Sequence, residues 1–183
     1  MADALSVGWR RVDGKIFHAA MQEFAGSAAV VSVGSREEIT AFTGTSIAPI
    51  SAYPARILAC VSQSSGAAGA FRRHSHFAIN VLGEWDRSLA RCFGDHEARE
   101  ATRRYYGSRW TTMATGAPIL ESALVAVDCD VEEVLARHDY EIVIGRVRAV
   151  RFQPGPRPLI RWKGEYYFLG EALDTDQASM WTP

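Results

Sequence analysis

The chain has 183 residues, 48% of them hydrophobic, which is enough to build one domain around a sizeable core. Its 20 basic and 21 acidic side chains nearly balance, which excludes the strong positive field of nucleic-acid-binding and membrane-surface proteins. No apolar run approaches the roughly 20 residues of a membrane-spanning helix, and the first residues lack the pattern of a secretory signal. We therefore expect a cytoplasmic protein with no nucleic-acid and no membrane partner.

The first half of the chain predicts short helices between strands. Residues 17–24 repeat apolar groups at helical spacing, which predicts a helix lying on the core. Residues 28–33 and 39–43 predict two strands joined by a hairpin. Two further extended runs, 57–62 and 77–82, flank an alanine-rich segment that favours a short helix.

A helical flank is predicted from Asp86 to Tyr106. Asp86 and Asp95 are of the residue type that caps helix N-termini, and Glu100 precedes Arg104 by one helical turn, as in a surface ion pair. We expect this region to cover one side of the strands.

The clearest two-residue alternation lies at 125–132, where one face is apolar and the other carries three acids. A turn within 136–139 leads to a second strand at 142–148, so that antiparallel pairing would set Arg146 and Arg148 opposite those acids. This pattern predicts a long hairpin with cross-strand charge pairs.

A closing hairpin is predicted at 158–162 and 166–169, around a Lys163-Gly164 turn. Many short strands and few helices favour a closed or nearly closed barrel. No repeat or linker divides the chain, and we predict a single domain over 1–183.

The motifs that the chain lacks restrict its chemistry. No glycine-rich nucleotide fingerprint, lysine-bearing phosphate loop or pair of histidines one helical turn apart occurs. Cys60, Cys92 and Cys129 are far apart and odd in number, which favours a reducing compartment and buried, unreactive thiols. We therefore predict no metal site.

Two clusters of short hydroxyl side chains follow strands, at residues 43–46 (Thr-Gly-Thr-Ser) and at residues 62–66 (Ser-Gln-Ser-Ser-Gly), where a strand is predicted to pass into a helix. Hydroxyls and free backbone N–H groups at a helix start can hold a phosphate without a basic residue. The same residue types also cap helices and form turns. A shared phosphate site and purely local turns are both consistent with this pattern.

The order of segments carries more information than any single motif. After the helix at 17–24 come Ala29-Val30-Val31-Ser32-Val33, Phe42-Thr43-Gly44-Thr45-Ser46, Ser51-Ala52-Tyr53-Pro54, Leu58-Ala59-Cys60-Val61-Ser62 and Phe77-Ala78-Ile79-Asn80-Val81-Leu82. Further along come Leu89-Ala90-Arg91-Cys92-Phe93, Gly116-Ala117-Pro118, Ala123-Leu124 with Asp128-Cys129, and Pro158-Leu159-Ile160 before Tyr166. Over almost the whole chain, this order resembles the flavin reductase family, the reductase components of two-component flavin monooxygenases.

The resemblance implies a mainly β fold with flanking helices, the FMN-binding split β-barrel, in a single domain with an N-terminal extension at 1–15 and a C-terminal tail at 171–183. It also implies a homodimer with the flavins near the subunit interface. The implied reaction is the transfer of a hydride from NADH or NADPH to FMN or FAD, with reduced flavin supplied to a partner monooxygenase.

Carried over residue by residue, the resemblance also implies a set of cofactor contacts. The flavin would lie along the segment from Thr43 through Gly44 to Ile47, with hydroxyls supplied by Thr45 and Ser46. The implied contacts at the ring, the phosphate and the helical flank are Cys60, Val61, Ser62, Ser65 and Phe93.

Two positions depart from the family pattern. Ala48 and Pro49 stand where the family often has a second hydroxyl pair. At the hairpin turn where the family has Gly-Asp-His, Tyr140 takes the histidine's place and His138 lies two residues earlier. Because strand side chains repeat every two residues, His138 and Tyr140 would share a face if the strand extends that far. We predict both as catalytic residues at the hydride-donor site, although a hairpin-tip histidine can also be plain surface.

Other tempting residues allow two interpretations. His74 and His76, with Arg72 and Arg73, could recognise an anionic dinucleotide or could form a solvated helix end. Aromatic residues such as Trp162 suit a dimer interface as well as ring stacking.

Two other functions stay open at this point. One is a flavin-binding module that does not turn over with a pyridine nucleotide. The other is an enzyme that uses bound flavin on a specialised substrate. The sequence does not choose FMN over FAD, or NADH over NADPH.

Overall fold

The computed structural model describes residues 11–35, 37–94 and 108–170. Within them the helices are α1 (Gly14–Met21), α2 (Ala70–Arg73) and α3 (Arg87–Gly94), and a short 3-10 turn at Glu84–Asp86 precedes α3. The strands are β1 (Gly26–Ser27), β2 (Ala29–Gly34), β3 (Ile39–Gly44), β4 (Ile47–Ala52), β5 (Ala55–Ser62), β6 (His76–Val81), β7 (Trp110–Thr112), β8 (Pro118–Leu120), β9 (Val125–Arg137), β10 (Tyr140–Phe152), β11 (Leu159–Trp162) and β12 (Glu165–Phe168). None of the described helices is long and apolar enough to cross a membrane.

Seven antiparallel strands form the main sheet, in the order β3-β2-β6-β9-β10-β5-β4. Its two edge strands, β3 and β4, are consecutive in the chain and separated only by Thr45 and Ser46. The edges of the sheet must therefore approach each other, and the sheet curls into the nearly closed barrel that the strand pattern predicts. Sequence reasoning missed β4, in which Pro49 interrupts the strand pattern.

The inner core fills the barrel. Odd-numbered residues of β2 point inwards and share this core with Phe77 of the adjacent β6 and with Val143 of β10. The segment 67–71 enters one end of the barrel as a plug, and the ring of Phe71 contacts that of Phe77 edge to face, with centroids 5.6 Å apart. The alanine-rich run therefore serves close packing, and its α-helix spans only Ala70–Arg73.

A second, outer core lies on the other face of β2, β6 and β9, under α3, β8 and β11. Buried polar groups fix β8 there. The amide of Asn80 donates to the Val30 carbonyl at 3.1 Å and to Ser32 Oγ at 3.0 Å, and it accepts from Leu120 N at 2.8 Å. Ser32 Oγ donates to the Pro118 carbonyl at 2.5 Å. Because these groups find partners, the strands can bury both faces.

Helix α1 differs from its prediction. It begins at Gly14, after an N-cap in which Asp13 accepts from Ile16 N at 2.8 Å, and none of its residues is buried. Phe17 and Met21 remain 55% and 41% exposed. The expectation that this helix lies on the core is wrong, because the inner and outer cores are already covered by other elements of the chain.

The long hairpin of β9 and β10 places Arg146 opposite Asp130, as predicted, and corrects what was expected for Glu132 and Asp128. Arg148 contacts Asp130 at 3.0 Å. Arg56 of β5 binds both oxygens of Glu132, at 2.5 and 2.6 Å, and holds the pKa of that carboxyl below its usual value. Asp128 is buried rather than solvent-facing, because the outer core covers this part of β9, and it accepts hydrogen bonds from the backbone and hydroxyl of Thr115.

The predicted helical flank is only partly described. Helix α3 confirms its first half, and Asp95, Glu100, Arg104 and Tyr106 lie outside the described residues. Asp86 does not cap α3. Its carboxylate accepts from Gly83 N at 3.0 Å and from Ser122 Oγ at 2.8 Å, because it belongs to the 3-10 turn.

The cysteines match the predicted free thiols in part. Cys129 is buried, and desolvation, with the nearby Asp128 and Asp130 carboxylates, raises its pKa to about 12. Cys60 and Cys92 are half-buried. Among the residues described, no cluster of histidine, cysteine or acidic side chains could hold a metal ion.

Candidate functional site

Three segments that the sequence analysis singled out meet at one end of the barrel. They are the hydroxyl segment (residues 43–47), the serine turn (residues 62–66) and the hairpin tip (residues 137–140). Cys60 N donates to the Ser46 carbonyl at 2.9 Å, which joins the hydroxyl segment to β5. Ser62 lies directly opposite Tyr140 in the β5–β10 ladder, and Gln63 N donates to the Asp139 carbonyl at 2.8 Å. Strand pairing therefore makes these segments neighbours.

The surface they border is the outer face of β5 and β10. Directly opposite residues of an antiparallel pair lie on the same face, and the pairs here are Leu58 with Ile144, Cys60 with Ile142 and Ser62 with Tyr140. All six side chains are partly or largely exposed. The result is an apolar strip with hydroxyl groups at one end, which suits a flat aromatic ring carrying a polar tail.

Two glycines lie close to the hydroxyl segment. A Cβ on Gly26 would lie 3.0 Å from the Cβ of Thr45, and one on Gly94 would lie 3.9 Å from the Cβ of Thr43. Thr43 Oγ1 is buried and has no hydrogen-bond partner among the described residues. A buried hydroxyl without a partner is unusual, and here it fits a ligand with polar groups along this segment. Ser46 is exposed, whereas Ile47 packs partly against the inner core.

The serine turn does not start a helix, which corrects the expected phosphate site at a helix N-terminus. Ser62 Oγ lies 2.8 Å from Ser64 Oγ, and Ser65 Oγ accepts from Ala67 N at 3.2 Å. The chain runs through turns until α2 begins at Ala70, because the intervening alanines are used in the plug. The turn still presents hydroxyls and N–H groups, without the field of a helix terminus.

At the hairpin tip the structure separates the two residues that were expected to share a face. Tyr140 is the first residue of β10, is 52% exposed and borders the outer face of β5 and β10. His138 lies in the turn with φ 49° and is exposed. The strand does not extend to His138, so the condition for a shared face is not met.

The side chains of two predicted flavin contacts, Val61 and Phe93, do not lie on the outer face of β5 and β10. Val61 is 1% exposed and faces the inner core, so only its backbone borders the outer face of β5 and β10. Phe93 is 3% exposed in the outer core, where it packs behind β3. Cys60 does lie on the outer face, and burial raises the pKa of its thiol, which stays protonated at neutral pH.

Sequence reasoning missed one buried charge at this end of the barrel. Glu141 follows Tyr140, points inwards and is 2% exposed. Arg72, at the end of α2, donates to Glu141 Oε1, and its side chain is 63% exposed. The signal was present, because Glu141 stands at the first inward position of the alternation that continues through Val143 and Gly145. The neighbouring His74 and His76 rings lie 6.5 Å apart, and His76 Nε2 is 3.2 Å from the Gly34 carbonyl.

Comparison with known proteins identifies the family. The family model described as "Flavin reductase like domain" matches residues 21–170. FMN reductase (NADH) RutF of Pseudomonas syringae pv. syringae (strain B728a) is 27% identical over 153 residues, which cover 84% of this chain and 85% of that protein. The reductase subunit HsaB of a flavin-dependent monooxygenase from Rhodococcus jostii (strain RHA1) is 27% identical over 161 residues, 88% of this chain and 80% of HsaB.

A solved structure extends the likeness to the fold. Nitrilotriacetate monooxygenase component B from Mycobacterium thermoresistibile superposes with a TM-score of 0.78 at 26% identity, over 85% of this chain and 86% of that one. The mainly β fold with flanking helices, expected from the resemblance, is confirmed. With a family match across residues 21–170, this chain belongs to the flavin reductase family.

Proposed function

We propose that this protein is an NADH-dependent flavin reductase that reduces FMN or FAD and supplies the reduced flavin to a partner monooxygenase. The observation that carries the proposal is the convergence of the hydroxyl segment, the serine turn and the hairpin tip around the outer face of β5 and β10. The relatives support it, since RutF is an FMN reductase (NADH) and HsaB is a monooxygenase reductase subunit.

In this proposal the flavin ring lies against Cys60 and Ile142, whose apolar surfaces exclude water from one side of the ring. Thr45 and Ser46 offer hydroxyls to the flavin's polar chain, and Ser62 and Ser65 offer theirs towards its phosphate. The bound flavin supplies the two-electron redox chemistry. Phe93 does not contact the flavin in this proposal. It packs α3 against β3 beside Thr43 and so supports the hydroxyl segment.

Tyr140 is the proposed contact for the nicotinamide donor, because it borders the same face as Cys60 and Ser62 and is half-exposed. Its ring can pack beside the nicotinamide, and such positioning brings donor and acceptor within reach of each other. His138, in the turn, is the second proposed donor-site residue and would approach from the solvent side.

We also propose that the protein works as a homodimer. Phe17 of α1, Phe24 and Phe168 are 55%, 71% and 54% exposed, which leaves three large aromatic side chains available to an interface. Light scattering in solution is expected to give about twice the mass of the 20.1 kDa chain. A monomeric mass would contradict the proposal.

A second candidate function rests on the hairpin tip, where Tyr140 replaces the family's histidine. In this alternative the protein binds flavin but does not oxidise NADH or NADPH, and either stores flavin or uses it on a specialised substrate.

An anaerobic assay separates the candidates. Purified protein is mixed with FMN or FAD and then with NADH or NADPH, while the absorbance of oxidised flavin is followed. Catalytic bleaching is expected, together with a loss of roughly tenfold or more in kcat/KM for NADH in Tyr140→Ala. Tyr53→Ala is the matched control, because Tyr53 is 96% exposed in the β4–β5 turn. Flavin that binds but stays oxidised with both nucleotides would overturn the reductase assignment.

A further inference from the structure

Glu141 is a buried carboxylate with a single hydrogen-bond partner. It is 2% exposed at the inner face of β10, opposite Val61, and its Oε1 accepts from Arg72. Its Oε2 is buried and has no hydrogen-bond partner in the described part of the chain. A buried carboxylate is costly unless a cation accompanies it, so this glutamate fixes the position of the Arg72 guanidinium.

Arg72 has hydrogen-bond donors that the bond to Glu141 does not use. A guanidinium carries five N–H groups, and the Arg72 side chain is 63% exposed although one of its nitrogens is bound to Glu141. A solvated helix end would leave such an arginine without a partner, whereas here the bond to buried Glu141 restrains the guanidinium and leaves its other donors exposed. Anion sites in proteins are built from oriented guanidinium groups of this kind.

The location of Arg72 connects it to the proposed site. Its partner Glu141 lies next to Tyr140, which is opposite Ser62, and the serine turn is bonded to the hairpin tip through Gln63 N and the Asp139 carbonyl. The Arg72 guanidinium is therefore anchored where the serine turn, the plug and the hairpin tip meet.

The charges at this place favour an anion. Arg73 follows Arg72, and its Nη1 lies 3.1 Å from where a Cβ on Gly69 would be, above the turn that enters α2. At the hairpin tip, Arg137 offsets Asp139. Two guanidinium groups against the single Glu141 carboxylate leave net positive charge at this end of the barrel.

We propose that Arg72, oriented by Glu141, binds a phosphate group of the nucleotides that this enzyme uses. The inference rests on the proposed function and deepens it. The shared chemistry is a phosphate ester, and its source is either the flavin phosphate or the pyrophosphate of the nicotinamide dinucleotide. Arg72 is a binding residue, and Glu141 is a positioning residue that acts through it.

The test compares ligands that carry phosphate with analogues that lack it. FMN and riboflavin share the ring and the ribityl chain, and NADH and 1-benzyl-1,4-dihydronicotinamide share the hydride-donating ring. The double variant Arg72→Gln with Glu141→Gln removes both charges together, so that no buried carboxylate is left without its cation. Arg148→Gln is the matched control, since Arg148 contacts the half-exposed Asp130 further along β10.

If the flavin phosphate is the ligand, the double variant is expected to weaken FMN binding by about tenfold or more and riboflavin binding by less than about twofold, measured by quenching of flavin fluorescence. If the dinucleotide is the ligand, the KM for NADH rises by a similar factor while turnover with the benzyl donor is unchanged. Either pattern supports the proposal.

Two results overturn it. One is a folded double variant whose FMN affinity and NADH KM both match the wild type. The other is an equal loss for ligands with and without phosphate, which would give the pair a purely structural role. If the double variant does not fold, Arg72→Lys tests the proposal instead. This variant keeps the positive charge beside Glu141 but removes the planar guanidinium, which can donate two parallel hydrogen bonds to a phosphate. A loss of about threefold or more in FMN affinity or in NADH KM, confined to that phosphate-bearing ligand, supports the proposal, and no such loss overturns it.

The phosphate-binding proposal and the proposed reductase function can fail independently of each other. Failure of the wild-type protein to bleach flavin with NADH would overturn the reductase assignment. The comparison of FMN with riboflavin would still decide whether Arg72 binds phosphate.

Discussion

The long hairpin of β9 and β10 and the closing hairpin of β11 and β12 both turn over two residues, but they use glycine differently. In the closing hairpin the turn is Lys163 (φ 50°) and Gly164 (φ 81°), so a glycine takes a backbone conformation that suits it. In the long hairpin the turn is His138 (φ 49°) and Asp139, and no glycine relieves the positive φ.

The glycine of the long hairpin lies inside the strand instead. A Cβ on Gly145 would meet Phe77 ring carbons at 2.5 and 2.7 Å and the Cβ of Cys129 at 3.0 Å. The long hairpin therefore uses its glycine for the inner core and leaves polar residues at a tip that faces the candidate site. The turn of the closing hairpin does not border the candidate site, and it has glycine at a position of positive φ, as is common in two-residue hairpin turns.

The largest effect is expected from Gly145→Ala. Phe77 is fully buried and its ring contacts Phe71, so it cannot move aside without disturbing the plug. Overpacking is expected to lower the free energy of unfolding by about 2–3 kcal/mol, measured by denaturant titration. Gly66→Ala is the control, because a Cβ there meets nothing within 4 Å. Equal stabilities of the two variants would contradict the packing role of Gly145.

A smaller effect is expected from Tyr166→Phe in the closing hairpin. The Tyr166 hydroxyl donates to the Ala90 carbonyl at 3.2 Å, and losing that bond should cost about 1 kcal/mol at neutral pH. Burial raises the pKa of Tyr166 above its usual value of 10.0. The unfolded chain then loses this proton first, so stability falls as pH rises from about 10 through the folded pKa.

Thermal unfolding measured between pH 8 and 11 tests whether stability falls as the pH rises. The wild type should lose stability above about pH 10, and the phenylalanine variant should lose less. Parallel slopes for the two proteins would show that Tyr166 does not titrate as its burial implies.

The smallest effect is expected from relieving the positive φ at each turn. His138→Gly should stabilise the long hairpin by about 0.5 kcal/mol, because the loss of steric strain slightly exceeds the added entropy of the unfolded chain. Lys163→Gly should gain less, since Lys163 also contacts Glu23 at 2.9 Å and the Trp162 ring at 4.7 Å. The urea concentrations at the unfolding midpoints of the two variants measure the gain in stability. A larger gain for Lys163→Gly than for His138→Gly would contradict this prediction.

Local patterns in the sequence were sufficient for the two hairpins, although they missed β4. The alternation of 125–132, the run at 142–148 and the Lys163-Gly164 turn all predict what is observed, because side-chain period and turn chemistry are local properties. The neighbouring positions of Tyr140 and Ser62 required the register of β10 against β5, which joins residues far apart in the chain.

The sequence by itself determined the family, the mainly β class and the segments that border the site, since these follow from the order of strands, turns and hydroxyl clusters. Only the tertiary structure decided which faces are covered. It buries Asp128 against the expectation from strand alternation and leaves Phe17 exposed against the expectation from helical spacing. It also turns Val61, an implied flavin contact, inwards. The physical reason is that burial depends on what packs above a strand or helix, and in this barrel distant segments supply that cover on both faces of the sheet.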